Sequence, residues 1–143
     1  MAAKGGEFDN DLLKLIFNGT AIGNIADNAS SAPLSNLYVS LHTASPLAGG
    51  DQSTNECTYT SYARVAVART SGGWDVSLTT VTPVADISFP AATGGSETAT
   101  YFGIGTASSG TGKLLYWGPL SASVVISTGI QPILTTSTII TES

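Results

Sequence analysis

Residues 37–43, Leu-Tyr-Val-Ser-Leu-His-Thr, place Leu37, Val39 and Leu41 on one side of an extended chain and Tyr38, Ser40 and His42 on the other. That period of two is the pattern of a half-buried β-strand. A strand with one apolar face needs neighbouring strands and a covering layer. The rest of the chain supplies both, as short β-rich runs separated by Gly, Pro, Asn and Ser turns. Only 10% of residues are charged, against about 25% in ordinary domains, and Thr, Val, Ile and Tyr are plentiful. This composition suits strands rather than helices.

One segment departs from the β pattern. Over residues 8–17 Asp9 or Asn10 is placed to cap a helix, and Asn18-Gly19 to stop it. Phe8, Leu12, Leu15 and Ile16 share a face, with Leu13 and Phe17 widening the stripe. About ten residues of helix are marginal alone, so this one must dock, either as a lid over one end of a sandwich or against a partner. Residues 1–6 read as mobile, and residues 19–36 as a long polar connection. The chain therefore divides into residues 1–35, a helix and extended arm, and residues 36–143, a β-domain.

Beyond the first strand, residues 46–56 are too rich in turn formers to be regular. Residues 63–69 alternate again, with Val65 and Val67 inward, and Ser71-Gly72-Gly73 turns the chain into Trp74, Val76 and Leu78. Residues 79–84 and 86–89 read as strands limited by Pro83 and Pro90. Further strands follow at 98–105, 113–117, 124–127 and 133–141. About eight short strands at this spacing indicate an all-β sandwich, and the irregular early loops favour a jelly-roll type. Its expected core is Leu37, Val39, Leu41, Val65, Val67, Trp74, Val76, Phe89, Phe102, Ile104, Leu115 and Trp117. At 143 residues a single domain buries roughly 68–70% of its unfolded surface, enough to fold without a metal or disulfide.

The same residues exclude several functions. The net charge is −5, and the five basic residues are scattered, which leaves no phosphate-neutralising patch for nucleic acid. No apolar run approaches a membrane span, and the N-terminus lacks a signal-peptide core, so the chain is expected to be made and to stay outside the secretory route. Asn18-Gly19-Thr20 and Asn28-Ala29-Ser30 then carry no glycan. Cys57 is alone and reads as a small loop residue. His42 is the one histidine and reads as a surface or interface residue. It lies two positions from Ser40, and alternate strand residues about 6.5–7 Å apart point in parallel, which strains a direct Ser–His pair.

No zinc site can be assembled from one histidine and one cysteine. Calcium would have to use Asp51, Glu56 and loop carbonyls, without any spaced acidic motif. The run Gly105–Lys113 departs from a phosphate loop, with Ala107 where the first glycine belongs and Leu114 in place of the hydroxyl residue, and reads as a hairpin turn. Asp75, Asp86 and Glu97 are carboxylates without a motif that pairs any two for glycoside hydrolysis. Tyr38, Tyr59, Tyr62, Tyr101, Tyr116 and Trp117 offer stacking surface for a sugar, although such residues more often fill cores and protein interfaces. No catalytic residue, cofactor or metal is assigned.

The string Leu37–Pro46, then Tyr62-Ala63-Arg64-Val65-Ala66-Val67, Ile87-Ser88-Phe89-Pro90, Phe102-Gly103-Ile104, Leu114-Leu115-Tyr116 and Thr138-Ile139-Ile140 resembles a family of small tailed-bacteriophage virion proteins. Members are labelled tail-fibre-like or head cement proteins, and the cement members are jelly rolls on the outer face of the major capsid protein lattice. The resemblance spans residues 36–141. It implies a non-enzymatic structural protein on the outer surface of the capsid, partnered by the major capsid protein and by further copies of itself, a dimer being favoured. A tail or fibre component binding a receptor or carbohydrate is the alternative. The expected partner-binding residues are Phe8, Leu12 and Phe17 on the helix, Tyr38, Tyr59 and Tyr62 as aromatic anchors, and Arg64 and Arg69 for carboxylates. Both arginines also suit edge positions, where charge prevents strand-to-strand aggregation.

Overall fold

A computed structural model describes residues 6–22 and 33–142. The expectations for residues 1–5 and for the middle of the 19–36 connection, Asn28 included, fall outside the described residues. Strand dominates the described chain, with one short helix and several antiparallel sheets, so the expected all-β class stands. The chain forms two compact units.

The first unit comprises the described parts of Met1–Asn36, Ala68–Asp86 and Thr135–Ser143. It holds helix α1 (Gly6–Asn18) and a sheet ordered β3-β4-β9, with β3 at Trp74–Ser77, β4 at Thr80–Pro83 and β9 at Ile140–Thr141. The helix starts earlier than expected, so Glu7 and Asp9 lie in its first turn, where negative charge favours the helix dipole. Asn10 is inside the helix and donates from Nδ2 to the Leu78 carbonyl, 2.9 Å. Gly19, at φ 66°, ends the helix as expected. The docked stripe is Leu13 and Phe17, both fully buried, whereas Phe8 is exposed. These two residues are four apart, and with Trp74, Val81 and Ile140 they make this unit's core. The β3–β4 hairpin turns at Leu78-Thr79, with Leu78 at φ 54°. No Gly or Asn marks that turn in the sequence.

The second unit comprises Leu37–Val67 and Ile87–Leu134. Its larger sheet is ordered β2-β1-β6-β7, with β1 at Asn36–His42, β2 at Val65–Ala68, β6 at Glu97–Gly105 and β7 at Leu114–Ile126; β5 (Ile87–Ser88) pairs with β8 (Ile133–Leu134). Leu37, Val39 and Leu41 are buried as expected, with Phe89, Phe102 and Ile104. Val65, Val67 and Leu115 are half-buried, as is Val76 in the first unit, and Trp117 is exposed rather than in the core. Strand β7 joins the two runs expected at 113–117 and 124–127. Its pairing with β6 jumps from Val124 opposite Ala99 to Pro119 opposite Tyr101, so residues 120–123 bulge out.

Strand β1 is buried on both faces, not one. The loop after it folds back, with Thr43 N donating to Asn55 O at 2.8 Å and Cys57 N to Leu41 O at 2.9 Å. Gln52 is fully buried and accepts from Ala107 N at 2.9 Å. Room for this layer comes from glycines on β6. A Cβ at Gly105 would lie 2.1 Å from Gln52 Cδ, and one at Gly103 would lie 2.7 Å from His42 Nε2.

Candidate functional site

Three of the expected partner-binding residues, Tyr59, Tyr62 and Arg64, come together in the second unit around Glu56. They line an open cleft of about 380 Å³ with Cys57, Thr58 and the 108–110 turn. Arg64 donates from Nε to Glu56 Oε1 at 2.7 Å and from Nη2 to Oε2 at 2.8 Å. The same guanidinium reaches the 107–110 turn, with Nη1 to Ala107 O at 2.8 Å and Nη2 to Gly110 O at 2.6 Å. Its side chain is 2% exposed and that of Glu56 14%. This fork ties the segment before β2 to the β6–β7 turn, a geometry only arginine supplies. The carboxylate and the surrounding contacts hold the guanidinium's pKa above its ordinary value.

Tyr62 donates to Glu56 Oε1 at 2.8 Å and accepts from Leu41 N at 3.1 Å, while its ring stacks on Phe89 with centroids 6.4 Å apart. Tyr59 is buried and donates to Pro90 O at 2.8 Å. Glu97 Oε1 accepts from Thr58 N and Tyr59 N, each at 2.8 Å. Burial pushes the Tyr59 hydroxyl up to about 12, and the Tyr62 hydroxyl further. Burial, with the Glu97 and Glu56 carboxylates nearby, also pushes the Cys57 thiol up to about 12, where almost no thiolate forms at neutral pH.

The remaining expected residues lie elsewhere. Phe17 is in the first unit's core, edge-on to Trp74 with centroids 4.9 Å apart. Leu12 is half-buried and Phe8 exposed on α1, and Tyr38 is half-buried on β1. Arg69 donates from Nε to Ile16 O at 2.6 Å, and also to Leu15 O and Leu34 O, so it caps the C-terminal carbonyls of α1. Asp51 accepts from Ser53 N at 2.8 Å and Ser53 Oγ at 2.6 Å, bonds that hold its carboxyl below the usual range. Asp86 accepts from Thr136 N at 3.0 Å. No group of three or more His, Cys, Asp or Glu side chains able to hold a metal occurs among the described residues.

His42 is fully buried, not a surface residue, and Ser40 is in direct contact with it, Oγ to Nε2 at 2.8 Å. The contact that strand spacing disfavours is made because Gly103, opposite Ser40, leaves the two side chains space to lean together. Thr54 O lies 2.9 Å from Nδ1. A carbonyl only accepts, so Nδ1 carries the proton and Nε2 accepts from the serine. Both side chains are sealed from solvent, so the pair serves packing.

Burial holds the His42 pKa below 6.5. The unfolded chain therefore binds this proton below about pH 6.5 and the folded chain does not, so stability falls as pH drops through that window and levels off at the folded pKa. Urea midpoints of the protein and of His42→Asn, taken between about pH 8 and pH 5, are expected to show a shallower decline in the variant.

A buried ion pair, carbonyls tied to its guanidinium and sealed titratable groups are the features of this small all-β protein. Residues 8–141 match the sequence profile of the family described as Podophage GP4 fiber I protein gp80. The chain belongs to this family of small tailed-phage virion proteins. No curated protein matches it.

Glu56, Gln52 and Glu97 as organising residues escaped the sequence reading. No spacing rule couples Glu56 to partners six and eight positions on, and a buried glutamine leaves no periodic trace.

Proposed function

We propose that the chain is a non-catalytic structural subunit of the virion that assembles with further copies of itself into a fibre. The observation that carries this reading is the match to a fibre protein family over residues 8–141. The interior is consistent with it: the thiol is held protonated, the Ser40–His42 pair is sealed, and the Glu56–Arg64 fork is spent on internal contacts. The protein is made in the host cytoplasm and carried on the particle.

The second reading is a jelly-roll cement subunit on the outer face of the major capsid protein lattice, acting as a dimer. It is supported by the head cement members of the family that residues 36–141 resemble. Copy number and position separate the two. In purified virions a fibre subunit is expected to be scarce relative to the major capsid protein, with antibody-gold label on projecting fibres. A band rivalling the major capsid protein, with label over the whole head, would establish the cement reading instead.

A further inference from the structure

The larger sheet ends in β7 on one side and in β2 on the other, and the two edges are built differently. Along β7, Pro119 has no N–H and residues 120–123 bulge, so no further strand can run beside it. Strand β2, Val65-Ala66-Val67-Ala68, holds no charge and no proline, and both of its alanines are exposed. Arg69 N donates to Ser35 O at 2.9 Å on the β1 side, so by alternation the backbone groups of Val65 and Val67 face β1 and those of Ala66 and Ala68 face outward. Among the described residues, no backbone hydrogen bond from outside the ladder reaches either alanine. Edge strands are commonly protected by outward Lys or Arg side chains. The two arginines that flank β2 are occupied elsewhere: Arg64 by Glu56 and the 107–110 carbonyls, Arg69 by the carbonyls of Leu15, Ile16 and Leu34. The edge is left open.

From this edge we infer a pairing surface for a second copy of the chain, with β2 of each copy lying antiparallel to β2 of the other across a twofold axis. The remaining sheet edges choose this occupant. Among the described strands, β3 carries the exposed Asp75, β9 has two residues beside Glu142, and β5 and β8 have two residues each, bounded by Pro90 and Pro132. With β7 closed as well, the strand of a second copy that β2 can accept is β2 itself. Such a contact is self-complementary and stops at two copies, whereas pairing of two different edges would run on as an open row.

Charge and size agree with this. Two uncharged strands do not repel each other, and alanine methyl groups let the backbones approach to the usual strand spacing of about 4.8 Å. Each outward alanine can then exchange N–H···O bonds with the residue opposite it. Four residues a side bury far less than the about 800 Å² per partner of a stable interface, so the pair is reversible in solution. Within a particle, copies held side by side reach effective concentrations of about 1 mM, which keeps such a contact closed. The inference deepens the self-assembly reading above by naming one of its contacts.

The test is sedimentation velocity on the intact protein from about 10 μM to about 1 mM, a span centred on a weak Kd of about 100 μM, with amide hydrogen exchange followed by NMR over the same range. A shift from monomer to dimer is expected, with exchange at Ala66 and Ala68 slowing as dimer forms and exchange at Val65 and Val67, already bonded to β1, unchanged. Ala66→Pro removes an outward N–H, a place where an edge strand tolerates proline, and is expected to raise the Kd at least tenfold. Ala66→Lys keeps the N–H, adds the missing charge and is expected to do the same, with the circular dichroism of the intact protein; it decides the matter if the proline variant does not fold. A monomer at about 1 mM overturns the inference, as does a dimer that survives Ala66→Lys, or any assembly that forms while exchange at Ala66 and Ala68 stays fast. None of these outcomes touches copy number or gold-label position, so the fibre reading is judged separately.

Discussion

Arg64→Ala is expected to cost the second unit about 3–5 kcal/mol, the usual range when one member of a buried ion pair is removed. The substitution deletes both bonds to Glu56 and both to the carbonyls of Ala107 and Gly110. Tyr62 still donates to a carboxylate whose side chain is 14% exposed. At about 4–8 °C per kcal/mol for a domain of 60–100 residues, the Tm is expected to fall by more than about 10 °C. Arg64→Lys keeps the charge without the fork and is expected to fall between the two. The double variant Arg64→Ala with Glu56→Gln removes the stranded charge, and is expected to be more stable than Arg64→Ala alone. A loss below about 1 kcal/mol would place the pair among ordinary surface salt bridges and dissolve the assignment.

That pair also shows where reading a sequence stops. Leu37, Val39 and Leu41 were legible as core because strand periodicity is local, and the structure buries all three. The helix and its stop at Gly19 were legible for the same reason. Its docked face was not, since Phe8, Leu12, Leu15, Ile16, Leu13 and Phe17 ring most of the helix and only the sheet beneath selects Leu13 and Phe17. The site is harder still. Tyr59, Tyr62 and Arg64 were singled out as residue types able to anchor a partner, but Tyr62 and Arg64 meet on Glu56 and Arg64 also binds a turn 43 residues further along, at Ala107. His42 was assigned to the surface or an interface because a half-buried strand has a wet face. A loop folding back over Gly103 and Gly105 turned that face into a second core, and no local pattern announces such a layer.

Phe17→Ala tests the first unit in the same way. Phe17 is fully buried and sits edge-on to Trp74 at 68° between planes. Trp74 Nε1 finds no hydrogen-bond acceptor among the described residues, so packing rather than polar pairing holds the indole. Truncating a buried phenylalanine removes its transfer free energy and leaves a cavity, about 3–5 kcal/mol together. For an edge-to-face pair, roughly another 0.5–1.5 kcal/mol of ring contact goes with it. The variant is expected to lose its near-ultraviolet dichroism at Trp74 and to melt the first unit at a lower temperature, with a red shift in Trp74 emission. Phe8→Ala is the internal control: that ring is 41% exposed, and its removal is expected to change stability by less than about 0.5 kcal/mol. If Phe17 instead served a partner while the sheet stood without it, Phe17→Ala would leave the isolated protein as stable as Phe8→Ala does. The buried geometry demands the opposite order.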